Sequence, residues 1–79
     1  MRVIRGSLDF LFTLHAVFRA EERGIDGSAL KAAVHTGKLE KRAKNFVRIT
    51  KKTKNGKIIL VGKQADDCAI KIITVEVVS

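Results

Sequence analysis

Apolar positions follow two different periods along this chain, and the change of period divides it. Placed on a helix at about 100° per residue, Phe10, Leu11, Leu14, Val17 and Phe18 share one arc, which predicts a core-facing side. His15, Arg19 and Arg23 fall at successive i+4 positions on the adjoining stripe. Gly24 follows at once and predicts the end of this helix through a left-handed residue. Its start is open between Ser7, Asp9 and Thr13, each able to accept a backbone N–H bond. With Thr13 as the cap, Phe10 to Phe12 become a lead-in strand and His15 sits in the first turn. Asp26 is the natural cap of a second helix over 27–35, with Leu30, Ala33 and Val34 as its apolar face. Thr36-Gly37 ends it, and His35 in the last turn is expected to face the negative helix end.

From Lys38 the period becomes two. Short strands are predicted over 39–43, 45–53, 57–63 and 69–78, the last rich in β-branched residues. Asn55-Gly56 is the strongest hairpin signal, read as a type I′ turn with positive φ at both residues. Folding on that turn pairs Thr53 with Ile58 and Ile49 with Gly62. Val47, Ile49, Ile58 and Leu60 then face the helices, while Arg48, Thr50, Lys52, Ile59, Val61 and Lys63 face outward. Asp66-Asp67 makes the next turn, after which Lys71 can point either way; residues 2–5 read equally as an edge strand or a free end. The expected architecture is α+β: two N-terminal helices packed on one face of a four-stranded antiparallel β-meander, in a single domain spanning 1–79.

Charge changes this picture more than composition does. Hydrophobic content of 46% excludes a disordered chain, and no apolar run approaches the length of a membrane span. The opening Met-Arg-Val-Ile-Arg-Gly is too interrupted by charge for a signal peptide, and the lone Cys68 predicts a cytoplasmic protein without an internal disulfide. Of a net charge of +8, residues 1–37 hold almost none, with five bases against four acids. Residues 38–63 hold ten Lys or Arg and one acid, Glu40. Such a one-signed stretch is the electrostatic footprint of a surface for nucleic acid or another anionic partner. Arg42, Lys44, Arg48, Lys52 and Lys63 are the candidate contacts, with bases stacking on Phe12 or Phe46. The competing role is that the lysines keep a small sheet soluble at its edges.

Phosphodiester cleavage of RNA by its own 2′-hydroxyl needs only a base, cations for the charged phosphorane and an acid for the leaving oxygen. His15 is the candidate base, Arg19 and Arg23 the candidate phosphate clamps, and no metal or cofactor is called for. A structural histidine bonded to backbone is the alternative for His15. The run His-Ala-Val-Phe-Arg-Ala-Glu-Glu-Arg-Gly-Ile-Asp at 15–26, a short helix ending at Gly37 and a closing Ile-Ile-Thr-Val at 72–75 resemble a family of small bacterial and archaeal domains of unknown function. That family is similar to the BrnT and RelE toxins of toxin–antitoxin systems. The resemblance implies a helix–helix–meander fold and a toxin-type, metal-independent endoribonuclease restrained by an acidic antitoxin. It points to His15, Arg19, Arg23 and Thr74 as site residues. Glu76 stands where the family pattern has a Tyr, which removes one candidate catalytic hydroxyl. A binding module without catalysis, using the same basic sheet on RNA or DNA, and an interaction domain with no nucleic-acid role are the other expectations.

Overall fold

The computed structural model describes residues 1–79 and contains six strands and two helices. In chain order these are β1 (Arg2–Arg5), β2 (Leu8–Phe12), α1 (Leu14–Glu22), α2 (Gly27–Thr36), β3 (Lys38–Lys41), β4 (Phe46–Thr53), β5 (Gly56–Gln64) and β6 (Ala69–Val78). The expected four-stranded meander behind two N-terminal helices is therefore wrong. A single curled sheet runs in the order β1-β2-β6-β5-β4-β3, and both helices lie between β2 and β3. β2 pairs in parallel with β6, Phe12 beside Ile72, while every other pair is antiparallel. β2 arises where Leu8, Phe10 and Phe12 alternate with Asp9 and Leu11, a period of two that the helical reading of Phe10 and Leu11 absorbs, and β1 takes up the edge-strand reading of residues 2–5. β1 covers the outer edge of β2 and becomes one of the sheet's two edge strands, β3 being the other.

Both helix starts are set by capping. The Thr13 hydroxyl accepts from the Ala16 N–H at 3.1 Å, and Asp26 Oδ1 accepts from the Ala29 N–H at 2.9 Å. The Thr13 N–H itself donates to the Ile72 carbonyl at 3.1 Å, so α1 begins where the β2–β6 ladder stops. α1 then packs against β6 with a different face from the expected one. Ala16 and Ala20 are buried, whereas Leu14 and Phe18 are 76% and 59% exposed. Two alanines let the helix backbone come close to the strand, which a Leu or Phe in those places would prevent.

α2 lies over the concave side, against β1 and β4. Its C-terminal carbonyls are held by Arg5, whose Nη1 donates to the Val34 and Gly37 carbonyls at 3.1 and 2.8 Å. His35 stands in the last turn as read from sequence, but the side-chain hydrogen bonds to the negative helix end come from the Arg5 guanidinium and from the Thr36 hydroxyl, which donates to the Ala32 carbonyl at 2.7 Å. Gly37 is buried at the exit, where an added Cβ would lie 2.5 Å from both the Ala33 carbonyl oxygen and Ile49 Cγ2. The core beneath the helices joins Phe10, Leu30, Val34, Ile49, Leu60, Ile72 and Val75.

The hairpin β4–β5 turns one residue earlier than expected, on Lys54-Asn55. Gly56 alone in it has positive φ (148°), so the turn is not type I′. Thr53 pairs with Gly56 and Ile49 with Leu60, a register two residues away from the one expected. A shift of two keeps every side chain on its own face, and Val47, Ile49, Ile58 and Leu60 are buried under the helices as read from sequence. A bulge at Ile73 separates Thr74 opposite Val61 from Ile72 opposite Gly62.

Candidate functional site

The alternation of β4 and β5 sends one set of side chains to the face without helices. Along β4 these are Phe46, Arg48, Thr50 and Lys52, and opposite them on β5 stand Lys63, Val61, Ile59 and Lys57. β3 reaches only as far as Lys38 opposite Thr50, so the last residues of β4 lack a partner on that side. An open cleft of about 490 Å³ forms there. Five cations line it (Lys38, Arg48, Lys51, Lys52 and Lys57), with Glu40 the one acid and Thr36 and Thr50 completing the wall.

The cations are unequally engaged. Glu40 Oε1 accepts from Arg48 Nη2 at 3.4 Å and lies 4.0 Å from Arg42 Nη2. All four ion pairs of the protein use arginine (Arg2, Arg19, Arg42 and Arg48), so no lysine has a carboxylate within 4.0 Å. The four cleft lysines therefore present uncompensated charge. Arg2 is tied to Asp9 at 2.8 Å, and the hydrogen bond and then the charge of that carboxylate raise the guanidinium pKa. A raised pKa contributes stability that is fully present below the unfolded value, far above neutrality, so Arg2 stays charged under ordinary conditions.

The candidates from sequence separate into two groups. Arg48 and Lys52 line the cleft. Arg42 is exposed beside Glu40, Lys44 occupies the β3–β4 turn with φ of 60°, and Lys63 sits on the outer face with Nζ 6.0 Å from the centre of the Phe46 ring. His15 and Arg23 are exposed on α1, and Arg19 is half-buried there, 3.9 Å from Glu22. Thr74 is half-buried on β6 and stands opposite Val61 in the outward row of Arg48, on the face of the sheet away from α1. None of His15, Arg19, Arg23 or Thr74 lines the cleft. The Nε atoms of Arg19 and Arg48 are the two buried side-chain polar atoms without a hydrogen-bond partner.

Lys38, Lys51 and Lys57 complete the cleft but were not singled out from sequence. The signal existed in the register: Lys52 stands opposite Lys57 and Lys38 opposite Thr50. Folding the hairpin on Asn55-Gly56 placed Ile59 across from Lys52 and hid the first of these pairs.

Residues 12–77 match a family described as Domain of unknown function (DUF4258). The chain belongs to that family. The match takes in α1, α2 and β3 to β5 whole, with all but the last residue of β6; it leaves out β1 and most of β2. The DUF4258 match thus includes the cleft and also His15, Arg19, Arg23 and Thr74. No curated protein and no solved structure matches the chain. No helix is long and apolar enough to cross a membrane.

Proposed function

We propose that this domain binds RNA through the cationic outer face of its sheet, centred on the cleft at the β3–β4 edge. The observation that carries the reading is the cleft itself: five cations, one acid and no apolar side chain, with its lysines free of ion pairs. Phosphate contacts supply most of the affinity of such a surface and make it salt-dependent through counterion release. The test is RNA affinity as a function of salt. A log–log slope of about −0.7 per neutralised phosphate of a single strand is expected, and neutralising Lys52 and Lys57 together should reduce its magnitude. Binding that ignores salt, or is absent at low salt, overturns the proposal.

A second reading is favoured by one observation: α1 presents an exposed His15 one turn before Arg19 and two turns before Arg23. In that reading the domain is a toxin-type endoribonuclease resembling BrnT and RelE, cutting by 2′-hydroxyl attack and restrained by an acidic antitoxin. Neutral His15 would take the hydroxyl proton while Arg19 and Arg23 hold the phosphate. The RNA would have to reach α1 as well as the cleft, because the two lie on different parts of the surface. A cyclic phosphate end after incubation with RNA, lost in His15→Ala, is the expected product; RNA bound but never cut leaves the first reading alone.

A further inference from the structure

The outward row of β4 begins with an aromatic ring and ends in the cleft. Phe46 is 39% exposed, whereas Phe12, the other ring considered for stacking, is 7% exposed and part of the core. Phe46, Arg48, Thr50 and Lys52 alternate on one face, so the row spans roughly 20 Å at about 3.3 Å per residue. Arg48 follows the ring by two residues, and Lys63 stands directly across from it on β5. A hydrophobic ring set in a cationic face, with no acid in its own cross-strand row of Lys63 and Lys71, has the composition of a base-stacking platform. Lys63 Nζ lies 6.0 Å from the ring centre, at the outer limit of a cation–π contact. With no carboxylate paired to it, that ammonium is available to a phosphate.

From this arrangement we infer that Phe46 stacks an unpaired base, and that the bound nucleic acid is a single strand lying along β4 with its phosphates at Lys63, Arg48 and Lys52. This rests on the RNA-binding reading of the cleft and adds the strandedness of the ligand and the residue that senses it. A duplex hides its base faces within the helical stack and offers only phosphates to this row. A single strand offers both.

The experiment uses three probes of equal length: a single-stranded RNA, the same strand without bases, and the RNA duplex. The protein contains no Trp and no Tyr, so Phe46→Trp introduces a single indole reporter at the platform. The single strand should quench its fluorescence and the abasic strand should not. Phe46→Ala should weaken single-strand binding roughly tenfold or more, the usual loss of one stacked base. It should leave affinity for the abasic strand, the salt slope and the melting temperature unchanged. Equal weakening toward both strands, or tight binding of the single strand without quenching, overturns the stacking role while the cationic cleft stands. Failure of the wild-type protein to bind any of the three at low salt overturns the RNA-binding reading and this inference with it.

Discussion

Glu40 holds the Arg48 guanidinium through a hydrogen bond of 3.4 Å from Nη2 to Oε1, and so places the one negative charge of the cleft against its one arginine. Glu40→Gln removes that charge and releases Arg48 and Arg42 together. RNA affinity at low salt should rise roughly two- to tenfold, the scale of about 1 kcal/mol for a surface charge in water. Both side chains are about a third or more exposed, so stability should change by less than about 1 kcal/mol. Titration and a thermal melt check the two halves separately. Weaker binding in Glu40→Gln would mean that Glu40 orients Arg48 for its ligand.

The rotation of α1 is testable by pairing exposed and buried truncations. Leu60→Ala, at a fully buried position, should cost about 2–4 kcal/mol. Leu14→Ala and Phe18→Ala remove equally large groups from solvent-facing positions and should stay within about 0.5 kcal/mol. Denaturant unfolding measures all three, and a large loss at Leu14 or Phe18 would restore the face read from sequence.

Arg5 joins β1 to the end of α2 through two carbonyls, Val34 and Gly37. Arg5→Ala should destabilise by about 1.5–3 kcal/mol, as expected for lost hydrogen bonds from a charged donor. Arg5→Lys should recover only part of this, because an ammonium lacks the planar fork. A neutral Arg5→Ala melt would show that the contact contributes nothing.

Gly37 and Gly27 make an opposed pair at the two ends of α2. Gly37→Ala would drive a methyl into the Ala33 carbonyl and Ile49, at a cost of about 1–3 kcal/mol as for other overpacked sites. Because Thr36 and Lys38 flank it on the cleft wall, RNA affinity should fall as well. Gly27→Ala meets only Met1 Sδ at an ordinary 3.8 Å and should be neutral or slightly stabilising in a helix. Calorimetry of the two variants side by side checks the contrast.

His15 is exposed on the first turn of α1, so His15→Ala should leave the melting temperature nearly unchanged. If the domain cuts RNA, the same substitution should lower the rate by roughly 10²–10⁴-fold, the usual loss of a general base. Full cleavage by His15→Ala would remove His15 from the mechanism.

The amino-acid sequence by itself determined what depends on neighbours within a few residues. Thr13 and Asp26 cap because their side chains reach N–H groups three residues on. The two faces of β4 and β5 follow from alternation, and they survived a two-residue error in register because the period of a strand is two. The basic load of 38–63 and its outward set, Arg48, Lys52 and Lys63, were legible for the same reason. Tertiary structure decided the rest. Residues 8–12 carry the alternation of a strand, but its place in the sheet, with 9–12 in parallel beside 69–72, was set by a partner some sixty residues away. α1 turned Ala16 and Ala20 inward, since close approach to β6 favoured small side chains over the larger Leu14 and Phe18. The cleft exists because β3 stops at Lys38 and leaves the end of β4 open. Which lysines share that opening depends on pairing across strands, and pairing is fixed only when the whole sheet closes over its core.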